Sequence, residues 1–438
     1  MEMLTSALAT AAPAPATAAP APCAAVPLAP STAAPALVPV RRVVRRKRRP
    51  DSDDNNPAQA AASAATPPSG QALVCDGRFV LDFHHVLGRG GLAVVRGGKH
   101  AEGAAVAIKC YNAPGDRDAT ETEDEEERAT RTFELFEREV RMLRRLHEGA
   151  ASSCPVVTCL DYSRNGTSDI PGATPDGSCY LVLELGQHTL DEFLEQAGGP
   201  LPVAEVRALL RRVVECLAFL EGCGVVHLDF KLSNVMRFAS GWKLIDCDAL
   251  LAIGAVVDSE DVCVTSVYCP PEIATLHLHP GTTAPLCASA HCWSLAMGAV
   301  SMLCGEPMLR ARHEADGTEA MLDWLGTAAH DPMVAAELHP PERIRATSPA
   351  LHALLSRLLT IDPTARPDAA AALCDPFFAD GFEELAPAPS AAPSAALGAA
   401  QPQGTPRRGA SRKVHPEGTP RERWRAWRLG HGLGCVIS

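Results

Sequence analysis

The sequence predicts an α+β fold made of a small β-rich lobe with one main helix and a larger, mostly helical lobe. Between Gln71 and Ala386 lie roughly 300 residues, a length that suits a single bilobal domain. Short segments rich in β-branched and aromatic residues occur early in this region, and longer segments with helical spacing of apolar residues follow. We therefore expect an N-lobe over about residues 79–185 and a C-lobe over about residues 186–382.

Both ends of the 438-residue chain differ in composition from its centre. Residues 1–70 are mostly Ala, Pro, Ser and Thr with one cluster of charge, and residues 387–438 are similar but basic. Such segments offer too little apolar surface for a packed core, so we expect disordered tails on either side of a domain over 71–386. The 16 cysteines include no C-x-x-C pair, and no segment resembles a secretory signal, so no disulfide framework is predicted.

The formal net charge of −12 is unevenly distributed along the chain. Both predicted tails are net basic, so the excess of acids lies in the central region. Eight acids occur between Asp116 and Glu127, against one arginine. We interpret this stretch as a solvated insert, with an acidic clamp for basic peptide substrates as the alternative.

The first candidate element is a strand over Arg78–Val86, followed directly by the glycine-rich sequence LGRGGLAVVRGG. Glycines at 88, 90 and 91 can take backbone angles that other residues cannot, so the turn could close over a nucleotide and point its amides at phosphate. Glycine-rich turns are also common in ordinary hairpins. A Walker-type phosphate loop is excluded, because no Gly-Lys-Ser/Thr follows.

The next strand, AAVAIKCYN, contains Lys109 within an apolar run. A buried ammonium needs an anionic partner, since an unpaired buried charge is costly. Downstream, FELFEREVRMLRRLH has apolar residues at helical spacing, with Glu139 beside the apolar stripe. Glu139 is therefore the expected partner of Lys109. The alternative is a surface helix whose acids pair only with neighbouring arginines.

A predicted buried strand, Tyr180–Leu185, ends in a break at Gly186. An amphipathic helix that ends at Gly222–Gly224 comes later, and a second group of polar residues follows it. The loop sequence GVVHLDFKLSNVM then presents a base, a cation and a metal-binding amide, which are Asp229, Lys231 and Asn234. Asp246 lies at the end of the next apolar strand, where it can reach the same pocket.

In this order the motifs resemble those of a eukaryotic-type protein kinase, over about residues 79–382. The glycine-rich turn resembles the nucleotide-covering loop, the segment ending at Lys109 the lysine strand, and HLDFKLSN the catalytic loop. The segment TSVYCPPE resembles the substrate-positioning segment that ends at Glu272. The segment LLTIDPTARPDAAAALCDPFF resembles the end of the C-lobe, where Arg366 is the expected partner of Glu272.

The resemblance implies ATP and Mg²⁺ as cofactors and protein substrates as acceptors. Asp229 would accept the proton of the substrate hydroxyl, and Lys231 would neutralise the γ-phosphate, as in kinases specific for serine and threonine. Asn234 and Asp246 would hold Mg²⁺. Lys109, oriented by Glu139, would hold the α- and β-phosphates. Val95, Ala107 and Met236 would sandwich the adenine, although plain core residues would look the same. The other implied nucleotide contacts are Gly88, Arg89, Gly90, Gly91, Leu92, Ala93, Val94, Val95, Glu184 and Leu185.

Four positions depart from the family pattern. Leu228 replaces the arginine that follows the loop histidine, so we expect activity that does not depend on phosphorylation of the activation segment. Cys247 and Asp248 replace Phe-Gly after the metal-binding aspartate, which suggests a segment fixed in one state. His291 replaces an aspartate, so the C-lobe must anchor its catalytic loop differently. Ala93 replaces the third glycine of the nucleotide-covering loop, a minor change.

Two alternative functions remain at this point. One is a pseudokinase scaffold, although the residues that would contact phosphate, metal and hydroxyl are all present. The other is a small-molecule phosphotransferase of kinase-like fold, which the PPE and DPTARP segments argue against.

The chain most resembles the serine/threonine kinases of the herpesvirus tegument, with a host or bacterial kinase as the fallback. This resemblance implies phosphorylation of viral and host nuclear proteins, in the host nucleus and the virion tegument. Seven basic residues within Arg41–Arg49 are typical of a nuclear localisation signal read by the import machinery. The alternative for this cluster is nonspecific nucleic-acid contact, and no specific nucleic-acid partner is expected.

Two cysteine-containing segments suggest further chemistry. The chain stops at CVIS, so Cys435 fits a prenylation box, and prenylation would give a membrane-associated pool aided by upstream basic residues. The alternative is a chance tetrapeptide on a basic tail. The segment CASAHC is a weak metal-binding candidate, because no second Cys/His pair lies near it.

Overall fold

A computed structural model describes residues 70–90, 92–112, 125–148, 150, 154–166, 168–259, 261–262 and 264–379. All of the described residues belong to one compact unit. Several predicted features lie outside the described residues: Gly91, the basic cluster Arg41–Arg49, Cys435 and most of the acidic insert.

The N-lobe is built on a six-stranded antiparallel sheet with the strand order β1-β2-β3-β4-β6-β5. Strand β4 is buried from Val106 to Tyr111, and its register places Lys109 opposite Val95 on β3 and Leu181 on β6. The strands are β1 Gln71–Val74, β2 Phe79–Arg89, β3 Ala93–His100, β4 Ala105–Tyr111, β5 Cys159–Tyr162 and β6 Cys179–Glu184.

Helix α1, Glu125–Glu148, packs against this sheet. Phe136, Val140 and Leu143 repeat at helical spacing and are fully buried. The helix begins earlier than the sequence suggested, so the last three acids of the predicted insert form its first turn. Acidic side chains are favourable there, because the positive end of the helix dipole lies at the N-terminus.

The C-lobe is mostly helical and is organised around helix α5, Ala290–Cys304, which is buried from Ala290 to Met302. Trp293 is among the largest fully buried side chains. Within the described part of the chain, no helix is both long and apolar enough to cross a bilayer. The helices are α2 Leu190–Ala197, α3 Val203–Gly222, α4 Pro271–Leu278, α5 Ala290–Cys304, α6 Arg310–Asp316, α7 Thr318–Gly326, α8 Pro332–Glu337, α9 Glu342–Thr347, α10 Pro349–Leu358 and α11 Ala369–Leu373.

Short strands of the C-lobe bring the predicted polar loop and Asp246 together. β8 pairs with β11, and β9 pairs with β10 in a tight hairpin. In that hairpin Val235 lies opposite Leu244, and the Ile245 amide donates to the Asn234 carbonyl at 2.9 Å. Asn234 and Asp246 therefore lie at adjacent ends of two paired strands. The short strands are β7 His188–Thr189, β8 Val225–His227, β9 Val235–Phe238, β10 Gly241–Leu244, β11 Leu250–Ala252, β12 Val256–Val257 and β13 Ala284–Pro285.

Candidate active site

Lys109 lies at the centre of a group of carboxylates. Its Nζ is 2.9 Å from Glu139 Oε2, 2.7 Å from Asp246 Oδ1 and 3.3 Å from Asp248 Oδ2. Burial alone would lower the pKa of Lys109, but the three carboxylates raise it well above its usual value. Lys109 therefore stays charged, and the partner expected from the sequence is in place.

Glu139 is fixed by two further donors. The Tyr111 hydroxyl donates a short hydrogen bond to Oε2, and the Cys247 amide donates to Oε1 at 3.3 Å. Glu139 is fully buried, whereas the neighbouring Glu137 forms the surface pair with Arg141. The alternative considered from the sequence was a surface helix whose acids pair with neighbouring arginines. This alternative applies to Glu137 and not to Glu139.

The catalytic-loop residues form a closed network around Asp229. Asp229 Oδ1 accepts from the Thr265 amide at 2.9 Å and from the Thr265 hydroxyl at 2.7 Å, and Oδ2 accepts from Lys231 Nζ at 2.6 Å. Lys231 also donates to Thr265 Oγ1 at 3.0 Å. These bonds hold the Asp229 carboxylate and the Lys231 ammonium side by side.

Asn234 and Asp246 offer oxygen ligands of the kind that Mg²⁺ prefers. Asn234 Nδ2 donates to the Asp229 carbonyl at 2.9 Å, which leaves Oδ1 of the amide for a cation. Burial would raise the pKa of Asp246, but Lys109 lowers it to about 2, so this carboxylate is ionised at neutral pH. Its side chain is 36% exposed, and the two residues fit a metal site.

Two glycines of the turn, Gly88 and Gly90, do not adopt the backbone angles that favour glycine. Gly88 and Gly90 are absent from the glycines with positive φ, so backbone strain does not explain them. A side chain at Gly88 would contact no described atom within 4 Å, and one at Gly90 would lie 3.5 Å from the Ala93 carbonyl. The glycines therefore leave open space on the turn, which suits close approach of a ligand. In the hairpin of β2 and β3, Gly88 pairs with Val95 and Arg89 pairs with Val94. The Gly90 amide donates to the Ala93 carbonyl at 2.8 Å, and Leu92 lies in the turn between the strands.

At the end of β6, the side chain of Glu184 does not face the nucleotide position. Its Oε1 accepts from Lys243 Nζ at 2.5 Å and from the Thr158 amide and hydroxyl, each at 2.7 Å. Its amide donates to the Thr158 carbonyl, so only the carbonyl is left to contact an adenine. Strand alternation points the side chain at β5, so the predicted contact of Glu184 with the nucleotide would be made by its backbone carbonyl. Leu185 is largely exposed.

Gly186 was noted in the sequence only as a break, although it contributes to the predicted adenine pocket. A Cβ at this position would lie 2.1 Å from Met236 Sδ and 2.6 Å from Met236 Cγ. Met236 is one of the residues expected to flank adenine, along with Val95 and Ala107. The absence of a side chain at residue 186 therefore allows the chain to pass directly over Met236.

The departures from the family pattern have structural consequences. Leu228 and Cys247 are both buried, and the Cys247 amide contacts Glu139. Asp248 contacts Lys109, which sequence reasoning missed, and burial together with Asp246 raises its pKa to about 7. Tyr111 was also missed as a site residue. Thr265 was expected only as part of the substrate-positioning segment, because its contacts with Asp229 and Lys231 are set by tertiary packing.

Arg366 and Glu272 form the ion pair expected for the end of the C-lobe. Arg366 Nη1 lies 2.7 Å from Glu272 Oε1, and Nη2 lies 2.8 Å from Oε2. The guanidinium also lies over the Trp293 ring at 5.2 Å. This bidentate pair joins the start of α4 to the segment before α11.

Comparisons with known proteins agree with this geometry. The family described as "Protein kinase domain" matches residues 81–378. The testis-specific serine/threonine-protein kinase 3 of Mus musculus is 32% identical over 133 residues, which cover 30% of this chain and 47% of the relative. Mitogen-activated protein kinase 13 of Oryza sativa subsp. indica is 28% identical over 236 residues, covering 49% of this chain and 45% of the relative.

The mitogen-activated protein kinase 20 of Arabidopsis thaliana is 27% identical over 236 residues, covering 49% of this chain and 38% of the relative. The chain thus spans about half or less of the length of these three relatives. The family match covers most of the chain and includes every element that carries the Lys109, Asp229 and Asp246 groups. The chain therefore belongs to the protein kinase domain family.

Proposed function

We propose that this protein transfers the γ-phosphate of ATP to serine and threonine side chains of protein substrates. The observation that carries this proposal is that the Lys109–Asp246 pair lies next to the network of Asp229, Lys231 and Thr265. Asn234 connects the two groups, because its side chain donates to the Asp229 carbonyl and its own carbonyl accepts from the Ile245 amide, one residue before Asp246. ATP and Mg²⁺, when bound, would supply the phosphoryl group and neutralise its charge.

The residues of the cleft have distinct roles in this proposal. Asp229 accepts the proton of the incoming hydroxyl, and Lys231, 2.6 Å away, places a positive charge where the phosphate arrives. Lys109, held by Glu139, binds the nucleotide phosphates. Asn234 and Asp246 provide oxygen ligands for the metal.

Two features support serine and threonine as acceptors. Thr265 bridges Asp229 and Lys231, so the segment that positions a substrate is tied directly to the base. One of the relatives that matches this chain is named as a serine/threonine-protein kinase. The ion pair between Glu272 and Arg366 supports a protein substrate over a small molecule, since it braces the segment that follows Thr265.

A pseudokinase scaffold is the second candidate, favoured by the replacements at residues 228, 247, 248 and 291. Against it, Lys109, Asp229, Asn234 and Asp246 are all retained. Lys109 Nζ lies 2.7 Å from Asp246 Oδ1, and Asn234 Nδ2 donates to the Asp229 carbonyl at 2.9 Å. We therefore favour catalysis.

The finer part of the proposal is a kinase of the herpesvirus tegument that acts on viral and host nuclear proteins. The departures from the family pattern support it. The contacts of Glu139 with Lys109, Tyr111 and Cys247 support it as well, because they hold α1 against the lysine through side-chain and backbone groups alone. This agrees with activity that does not depend on phosphorylation of the activation segment. Nuclear import through Arg41–Arg49 and membrane contact through a prenylated Cys435 belong to this proposal. Deletion of residues 41–49 should lower the amount of this protein in the nucleus, and unchanged import would count against the localisation signal. Mass spectrometry should find a prenyl group on Cys435, and a free thiol would count against membrane contact.

The enzymatic proposal is tested by incubating the full chain with γ-labelled ATP and Mg²⁺, with mixed protein acceptors and with small hydroxyl compounds in parallel. We expect label on protein, recovered as phosphoserine and phosphothreonine. Label confined to small molecules would favour the phosphotransferase alternative, and no label on any acceptor would favour the pseudokinase.

A further inference from the structure

His291 on α5 is fully buried and links the catalytic loop to the rest of the C-lobe. Its Nδ1 is 3.4 Å from the backbone nitrogen of His227, and its Nε2 is 2.8 Å from Glu221 Oε1. A backbone N–H can only donate, so Nδ1 must be the unprotonated nitrogen. Nε2 then carries the proton and donates it to the carboxylate.

Glu221 extends this connection to another segment. It lies near the end of α3, and its Oε1 also accepts from the Ala369 amide at 2.7 Å, while Oε2 accepts from the Ala370 amide at 3.1 Å. A continuous hydrogen-bonded path therefore runs from the catalytic-loop backbone through an imidazole and a carboxylate to the start of α11.

We propose that His291 and Glu221 form a relay that holds the backbone of His227, and thereby positions the base Asp229 two residues later. Both are positioning residues, because neither contacts the groups assigned to phosphate, metal or hydroxyl. The inference rests on the proposed kinase function, since its kinetic effect is read in phosphate transfer. It explains how this chain anchors its loop with an imidazole at a position where the family has a carboxylate.

A buried metal site is the rival interpretation. Glu221, His291 and Cys292 each offer a ligand atom, and these atoms lie within 4.8 Å of one another. However, the Glu221 carboxylate already accepts three hydrogen bonds, and burial raises the pKa of the Cys292 thiol well above its usual value. A metal would require the thiolate and would displace the imidazole proton, so the hydrogen-bonded relay fits the contacts better.

Two substitutions of His291 test the acceptor role of Nδ1 separately from the bulk of the imidazole ring. In His291→Asn, the amide Oδ1 is bonded to Cγ as Nδ1 is, so it can accept the His227 amide. His291→Leu has similar bulk but no acceptor. We expect His291→Leu to lower kcat by about tenfold to a hundredfold while the KM for ATP stays within about twofold, and His291→Asn to recover most of the loss.

The matched control is His352→Leu, which removes another buried C-lobe histidine whose Nδ1 contacts Ser356 one turn along α10. All rates are corrected for the folded fraction measured by near-UV circular dichroism. Equal kcat losses for His291→Leu and His352→Leu, or no recovery in His291→Asn, would overturn the proposal.

A second measurement does not depend on activity. In ¹⁵N NMR of histidine-labelled protein, the signals lost in His291→Asn identify the His291 ring, and we expect a neutral ring protonated at Nε2. Protonation at Nδ1, or zinc bound stoichiometrically and lost together with the structure on chelation, would refute the relay. Wild-type protein that transfers no phosphate would contradict the proposed function, whereas the tautomer would still decide whether the relay exists.

Discussion

Tyr111 shows how a single side chain supports the lysine site. It lies two residues after Lys109 on β4, so both side chains point to the same face of the sheet. Burial and the nearby Glu139 raise the pKa of Tyr111 well above its usual value, so its hydroxyl keeps the proton that it donates to Glu139.

We expect Tyr111→Phe to destabilise the protein by about 1.5–3 kcal/mol, because a hydrogen bond to a buried carboxylate is lost. The KM for ATP should rise, since Glu139 then holds Lys109 less firmly. Urea denaturation and steady-state kinetics measure the two effects. Tyr180→Phe, a buried tyrosine of the same sheet without a carboxylate partner, is the control; an unchanged KM in Tyr111→Phe would contradict this role.

His227 predicts how stability depends on pH. Burial lowers its pKa from 6.5 to about 4, so the folded protein keeps it neutral while the unfolded chain takes up a proton below pH 6.5. Its contribution is therefore present above pH 6.5 and is lost as the pH falls towards 4.

From pH 7.5 to pH 5 this single group should remove about 2 kcal/mol from the free energy of unfolding. His227→Phe keeps an aromatic ring but cannot titrate. Its free energy of unfolding should therefore fall by about 2 kcal/mol less than that of the wild type between pH 7.5 and pH 5. Denaturation curves at the two pH values give the difference. Parallel pH profiles for both proteins would show that His227 is not the titrating group.

At the scale of elements, the passage from β6 to β7 is set by the close approach of Gly186 to Met236. A methyl group at residue 186 would overlap the Met236 side chain, which must then move out of the predicted adenine pocket. We expect Gly186→Ala to cost about 1–3 kcal/mol and to raise the KM for ATP.

The test is a double-mutant cycle with Met236→Ala, which removes the overlapping atoms. The double variant should be more stable than the sum of the two single changes by about 1 kcal/mol or more. Strict additivity would mean that the contact between Gly186 and Met236 does not determine the passage from β6 to β7.

The elements also show what the sequence could predict. Helix α1 and strand β4 follow from local periodicity, and the partner of Lys109 follows because a buried charge requires one. Adjacency of Asn234 and Asp246 depends on the pairing of two four-residue strands, which periodicity does not specify. The apolar strand before Asp246 indicated only that this residue could reach the same pocket, and the family resemblance gave the two residues a shared role. The direction of Glu184 and the contacts of Asp248, Tyr111 and Thr265 depend on tertiary packing, so no local signal revealed them.

At the scale of the whole molecule, the pair Glu272–Arg366 ties the substrate-positioning segment to the end of the C-lobe. The Arg366 side chain is fully buried, so removing it leaves Glu272 without its counterion. We expect Arg366→Ala to destabilise the protein by about 3–5 kcal/mol, with Arg366→Lys intermediate because one of two parallel bonds is lost.

Arg312→Ala is the matched control. Arg312 pairs with Asp316 and Glu337 at the surface, where an ion pair contributes about 1 kcal/mol or less. Thermal and urea denaturation of the three variants provide the comparison. Similar losses for Arg366→Ala and Arg312→Ala would remove the structural role assigned to the buried pair.

The account as a whole rests on side chains from both lobes acting on one nucleotide, with Asp229 as the base. The most direct measurement is the turnover number of Asp229→Asn and its dissociation constant for ATP with Mg²⁺, determined on the same preparation. Asp261→Asn, an exposed acid of the activation segment, serves as control. We predict turnover lower by about 10²- to 10⁴-fold with nucleotide affinity unchanged; wild-type turnover in Asp229→Asn would contradict the account.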